Sequence, residues 1–512
     1  MPRHHPQLTT TTQLTTDLST SFVAHAERQP DAPALVWHDE EISYARLHEL
    51  AERSGARIAA LGLGEREPVG VVAKKSPSAV ALILGCLMDR RPFLLPPPGL
   101  PRRSLAAALA QAGCRQVLTP DGPRQSAGGR RAQGSWAPAP APTDEADVSF
   151  MFTTSGSTGV PKIVPLTAGG VNRFTDWVVG AFGMRPGKTA LNYAPLNFVV
   201  SLLDLWAPLK CGARAVLADS DLSTNPGYLV GLLRRHEVNL VQAVPMFYRL
   251  LLDATQGEPH QFDTVEHVIS TGDSITPRRL TDAGRLFAKA RLHNGYGCTE
   301  TLTSFFNEVT TELPGPTVPL GRPLPGVHTL VVDDAGGVVD GAGLGELYVA
   351  TPFQTAGYLD RSLNAARFVS HPQGTDGVTY FRTGDLVERD ADGTLTLVGR
   401  NDFEVKVRGV RINAQEVERA LAEHDDVVEA AVVALPDPVA GRLLHAMVRR
   451  RTASRLNSLV LRQHGALRLP AAAIPATIRF VDEPLPTTSS GKLDRRAVER
   501  ALADGQATRG GG

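Results

Sequence analysis

The chain has 512 residues, of which 42% are hydrophobic, with 53 basic residues set against 53 acidic ones. That length exceeds one ordinary core, so at least two domains are expected, and the apolar share excludes global disorder. The charge balance argues against nucleic acid or an anionic membrane as partner, and four scattered cysteines without CxxC spacing read as reduced thiols of a cytosolic protein rather than disulfides or a zinc site.

Residues 1–17 lack the apolar core of a signal peptide and are expected to form a disordered tail. Ser43 then caps a helix whose apolar positions Leu47, Ala51, Ile58 and Leu61 share a face, with Gly62 as its stop. "VGVVA" (Val69–Ala73) reads as a strand, and Pro77 opens an apolar helix through Ala79–Met88, about half a membrane span and so a buried element. Further strands are expected at Cys114–Thr119, Ala190–Ala194, Ala213–Ala218, Val238–Val244 and His267–Gly272. Such alternation predicts an α/β fold with largely parallel sheets, because parallel strands need helical crossovers. The Pro-, Gly- and Ala-rich Pro120–Asp147 reads as a surface loop. Past Gly399–Asp402 the composition changes. The strand pair in "FEVKVRGVRI" precedes a helix (Ala414–Glu423), strands Val427–Leu435 and His445–Arg449, another helix and a strand (Thr477–Val481). These make a small α+β domain over 402–506, after a large one over 18–401, with 507–512 as a tail.

The stretch "MFTTSGSTGVPKIVPLT" (Met151–Thr167) crowds hydroxyls and glycines before a lysine. A tight turn is the ordinary reading of such a cluster. Walker A chemistry is excluded, because Lys162 is followed by Ile163 and no GK[ST] opens a helix. A third reading remains. The backbone N–H groups freed by Gly156 and Gly159, with the hydroxyls of Thr153, Thr154, Ser155, Ser157 and Thr158, can wrap polyphosphate oxygens while Lys162 adds charge.

Five more motifs decide among these: "NGYGCTE" (Asn294–Glu300), "GELYVATPFQTAGYLD" (Gly345–Asp360), "YFRTGDLVERDADGTLTLVGRND" (Tyr380–Asp402), "EVKVRGVRINAQEVE" (Glu404–Glu418) and "LPTTSSGKLDR" (Leu485–Arg495). In this order and spacing the chain resembles the adenylate-forming superfamily of acyl- and aryl-CoA synthetases, peptide-synthetase adenylation domains, luciferases and amide synthetases. The resemblance implies a small β-barrel-like part in the large domain and a mobile small domain. It also implies two half-reactions: a carboxylate attacks the α-phosphate of ATP, releasing pyrophosphate, and a nucleophile then displaces AMP. By the same resemblance Lys492 bridges carboxylate and phosphate, Glu300 holds Mg2+, and Thr299 contacts the α-phosphate. Asp385 would take the ribose hydroxyls with Arg400 beside it. Gly272, Asp273, Ser274, Asn294, Gly295, Tyr296 and Gly297 would form the adenine pocket, with Tyr296 stacked on the base. Asp402 falls at the hinge about which the small domain would swing, withdrawing Lys492 and bringing Lys406–Gly409 to the active site.

In amino-acid-activating members an aspartate after an aromatic residue pairs with the substrate ammonium. Alignment back from Gly212–Ala213 puts Phe198 at the aromatic and Val199 at the aspartate. Valine cannot pair with an ammonium, and an unpaired buried charge costs about 3–5 kcal/mol, so a free α-amine is disfavoured. Asp204 is expected one turn further on, off the pocket. The other wall positions are Val200, Leu203, Gln242, Ile269, Thr271, Gly295, Thr303 and Ser304, an uncharged set in which Gly295 is expected to leave room for an aryl, heteroaryl or medium acyl group. The sequence through "ADGQATRGGG" contains no GxxS phosphopantetheine site at its end, and a stand-alone enzyme is expected. The acceptor is therefore expected in trans: coenzyme A, the phosphopantetheine of a separate carrier protein, or a free amine, with no nucleic acid and no membrane involved and a monomer or dimer as the assembly.

Overall fold

The computed structural model describes residues 17–123, 145–154, 161–273, 275, 277–309, 318–374, 376–400, 404–437, 439–452, 454–486 and 493–507. Residues 1–16 and 508–512 of the expected tails, most of the Pro120–Asp147 loop, Ser155–Gly159, Ser274, Asp402 and Lys492 lie outside them, whereas Asp17 caps the helix Leu18–Arg28 and Ala507 ends the helix Arg495–Ala507.

The large domain is built on two sheets of mostly parallel strands. An eight-stranded sheet runs in the spatial order Leu302–Val309, Arg291–Cys298, His267–Thr271, Leu240–Ala243, Thr189–Asn192, Arg214–Leu217, Pro33–Trp37 and Glu40–Ser43. Its inner strands are parallel, and an antiparallel hairpin closes each edge. A six-stranded sheet is ordered Gly122–Pro123, Gln116–Thr119, Val69–Val71, Phe93–Leu95, Val148–Thr154 and Lys162–Thr167. One apolar cluster, including the wholly buried Trp206, Phe150 and Phe22, joins elements of both sheets. A five-stranded antiparallel sheet around Gly343–Ala350 and Thr379–Arg389 follows.

Local signals account for the helices. The Ser43 hydroxyl accepts the Arg46 N–H at 3.2 Å and starts the helix Tyr44–Ala59, whose inward face is Leu47, Ala51 and Ile58. Leu61 falls past its end, two residues beyond Ala59, and Gly62 takes the left-handed φ of +62° expected of a stop. Pro77 is in the first turn of Pro77–Met88, which is buried nearly all round. The Pro120–Asp147 expectation needs one correction: Gly122–Pro123 pairs with Leu118 and Thr119 as a short edge strand.

The small domain pairs Glu404–Val407 with Val410–Asn413 and packs the helices Ala414–Ala422, Ser458–Ala466 and Arg495–Ala507 around the sheet Val427–Asp437, Gly441–Arg450 and Thr477–Val481. The fold is mixed α/β, with a large N-terminal domain and a smaller C-terminal one. No helix among the described residues is long and apolar enough to cross a membrane.

Candidate active site

Two cavities meet where the C-terminal ends of the large-domain strands face the small-domain hairpin. The first encloses about 410 Å³ and is lined by Thr153 and Thr154, by Phe198, Val199, Val200 and Leu203, by Gln242, Thr271, Thr299 and Thr303, and by Lys406, Gly409, Arg411 and Glu416 of the small domain. The second is lined by Gly272, Asp273, Asn294, Gly295, Tyr296, Asp385, Arg400 and Lys406. Residues from four of the six motifs thus line one cleft; Gly345–Asp360 reaches it only through the Tyr358 hydroxyl on Glu300, and Lys492 lies outside the described residues.

Glu300 is fully buried at the turn between the paired strands Arg291–Cys298 and Leu302–Val309. Its carboxylate accepts the Tyr358 hydroxyl at 2.6 Å and faces one Arg411 guanidinium nitrogen at 3.2 and 3.3 Å. Burial alone would push this carboxyl up, but the Arg411 charge, the Tyr358 hydroxyl and Lys162 together hold it below the usual carboxylate range. Lys162 begins the strand Lys162–Thr167 opposite Thr154, with its ammonium 5.6 Å above the Tyr358 ring. The Thr154 hydroxyl is buried without a hydrogen-bond partner among the described residues, an arrangement that suits a phosphate oxygen. A single carboxylate beside such hydroxyls also fits Mg2+, which binds through one or two carboxylates plus substrate phosphates. Glu300 would hold that ion, which would supply charge neutralisation at the phosphates, and Arg411 now stands against the same oxygens.

At the second cavity, Asp385 is buried, accepts from the Tyr296 hydroxyl and is ion-paired to Arg400, which also donates to Thr383 O at 3.1 Å. The Tyr296 ring lines the second cavity, and the Lys406 ammonium sits 5.9 Å from its centre. Asn294 donates its amide to Pro319 O at 2.9 Å.

The acyl wall differs from expectation at three positions. Ile269 and Ser304 are buried behind the surface and do not line the first cavity. Gly295 leaves no room there, because a Cβ on it would meet Ile269 at 3.3 Å and the Phe306 ring at 3.6 Å. The neighbouring strand's aromatic fills the space that the missing side chain leaves. Asp204 is off the cavity, as the spacing implied, but on a single turn of π-helix, Leu202–Trp206, and fully buried. It accepts Asn192 Nδ2 at 2.7 Å near Lys75, whose ammonium donates to Asn192 O and Tyr193 O at 2.8 and 2.9 Å. Burial pushes the Asp204 carboxyl up and the Lys75 ammonium down, each restrained by the other's charge. Gln242 braces this wall by donating to Val200 O at 2.9 Å.

Sequence reasoning assigned no role to Arg411, Tyr358 or Glu416, although all three lie inside the quoted motifs. Glu416 stands three residues after the helix cap Asn413, a spacing explained by helix capping alone, so nothing local marks it.

The family model for AMP-binding enzymes matches residues 22–359, and that for their C-terminal domain matches 416–492. The chain is 34% identical over 516 residues to phosphinothricin tripeptide synthetase PhsB of Streptomyces viridochromogenes, across 96% of this chain and 42% of that protein. It spans less than half the length of the curated relatives it matches. Among solved structures it is similar to NpsA-ThdA, an artificially fused adenylation–PCP di-domain from Klebsiella oxytoca, with TM-score 0.76 and 26% identity over 91% of this chain and 94% of that one. Its fold is also that of the amide bond synthetase McbA from Marinactinospora thermotolerans, with TM-score 0.81 and 23% identity over 95% of this chain and 99% of that one. On the two consecutive family matches and the convergence of the motif residues, this chain belongs to the AMP-binding enzymes, the adenylate-forming superfamily.

Proposed function

We propose that the chain activates a carboxylic acid without a free α-amino group, of aryl, heteroaryl or medium acyl type, as its acyl-adenylate, and then passes the acyl group to a thiol or amine. The observation that carries this reading is Val199 on the cavity wall beside Phe198, Val200 and Leu203, with no carboxylate among these positions to pair with an ammonium. Thr153, Thr154 and Lys162 are assigned to the β- and γ-phosphates of ATP, and Glu300 to Mg2+. Asp385 and Arg400 are assigned to the ribose, and Lys492 to the reacting carboxylate. The first half-reaction brings two anions together, so this set works by charge neutralisation and positioning.

The small-domain hairpin faces the first cavity through Lys406, Gly409 and Arg411, which supports reading this arrangement as the transfer pose. The resemblance to peptide synthetases and to a structure fused to a PCP domain favours a carrier-protein thiol in natural-product assembly as acceptor. Pyrophosphate exchange across a panel of acids, followed by product analysis with coenzyme A, carrier protein or amines supplied separately, tests the reading. Exchange driven by aryl or acyl acids and weak with amino acids is expected. Strong leucine- or proline-dependent exchange refutes the argument from Val199.

A further inference from the structure

An acceptor thiol or ammonium reaches the adenylate protonated, whereas the attacking species is the thiolate or free amine. Something in the first cavity must take that proton. Among the described residues lining it, Glu416 is the one carboxylate, and no histidine lines it. The other ionisable groups there cannot serve: Lys406, Arg411 and Arg468 are cations, and burial pushes the Cys298 thiol up to about 12. Glu300 is occupied by Arg411 and Tyr358 behind the surface.

Glu416 is held in place by its own helix. Asn413 caps Ala414–Ala422 by accepting the Gln415 and Glu416 N–H groups at 2.9 and 3.3 Å, and Val417 and Leu421 anchor the buried face. Two residues on, Glu418 is tied to Arg495 and the Val432 N–H. The Glu416 carboxylate makes no hydrogen bond or ion pair among the described residues, and Glu416 lines the cavity.

We infer that Glu416 is the general base of the transfer half-reaction, an assignment that rests on the acyl-transfer reading above. The acceptor sulfur or nitrogen forms a bond to the acyl carbon, and the bond from that carbon to the adenylate phosphate oxygen breaks. AMP leaves with the electron pair, the acceptor's proton passes to the Glu416 carboxylate, and solvent later removes it. The surroundings suit this task. Burial raises this carboxyl to about 7 against the opposing charges of Arg419 and Lys162, so it is part ionised at neutral pH. Lys406 and Arg411 of the hairpin and Arg468 line the same cavity.

The test compares wild type, Glu416→Gln and Glu416→Asp, using the acid selected by the exchange panel. Hydroxylamine, neutral at pH 7 and in no need of a base, traps the adenylate as hydroxamate; N-acetylcysteamine reports transfer in single turnover. Glu416→Gln is expected to lower the ratio of transfer to hydroxamate formation by about 100-fold or more. Wild-type transfer should rise through pH 7, and the variant's rise should move to the thiol's own range near about 8.5. An unchanged ratio with an unchanged pH profile overturns the assignment. Should Glu416→Gln lose hydroxamate formation as well, Glu416→Asp decides: a shifted pH profile supports the base, and the wild-type profile overturns it. Wild type that makes hydroxamate but transfers to neither thiol nor amine overturns the transfer reading, and the assignment with it.

Discussion

Replacing Arg411 with methionine keeps much of the side chain's length and removes its charge. The Arg411 side chain is 14% exposed and Glu300 0%, so the pair is largely desolvated when the hairpin faces the cleft. Removing one member of a buried pair costs about 3–5 kcal/mol, because the other charge is left behind. Here the Tyr358 hydroxyl at 2.6 Å and the Lys162 charge still support Glu300, so the lower figure of about 2–3 kcal/mol is taken for the docked arrangement. At 1.4 kcal/mol per factor of ten, that shifts docking by about 30- to 150-fold. The shift can be read as energy transfer between dyes on Arg185 and Leu459, exposed positions of the large and small domains, alongside single-turnover transfer and pyrophosphate exchange. Arg411→Met is expected to move the dyes and slow transfer while exchange persists. Mg2+ with a non-hydrolysable ATP analogue, which would claim the same carboxylate, should undock wild type and change the variant little. An Arg411→Met enzyme with wild-type dye distance and transfer within threefold refutes the reasoning.

Gly409 has φ +80°, and a Cβ there would meet Val244 Cγ1 at 2.6 Å, so Gly409→Ala should obstruct the docked hairpin. Transfer is expected to fall at least about tenfold, from about 1–2 kcal/mol of backbone strain plus the clash, with exchange retained; equal rates of transfer in variant and wild type count against it. His293 is lowered to about 3 by burial, with His267 and Arg291 adding to the effect. A depressed folded-state value means that the unfolded chain binds the proton first as pH falls below about 6.5, so stability is lost on acidification. At pH 5 the loss from this one group is about 2 kcal/mol. His293→Gln should narrow the gap between thermal midpoints at pH 7.5 and 5.0, and an undiminished gap rules the histidine out as its cause.

The helices were the readable part of the fold, because caps, prolines and periodic apolar faces are local. Ser43 and Pro77 each mark a start that the structure keeps. The helix Leu18–Arg28 and the hairpin Pro33–Ser43 were not foreseen. They are short elements whose burial depends on partners far along the chain: Leu35 and Val36 pair with Ala215 and Val216. The acyl wall was read by alignment, and Phe198, Val199, Val200, Leu203 and Gln242 do line one cavity. Gly295 was read as empty space because its own side chain is absent; Phe306, supplied by the next strand, occupies that space.

By itself the sequence determined the α/β class, the family chemistry and the order of its motifs, since these reside in residue type and spacing. Only the tertiary structure decided which charges meet. Arg411 and Glu300 are 111 residues apart in the chain yet share a buried contact. Glu416 reads as a helix-start residue until the small domain is placed over the cleft, where it is the one acidic residue among the described residues lining the first cavity. Electrostatic work depends on distance and desolvation, which arise only when separate segments close over the same space.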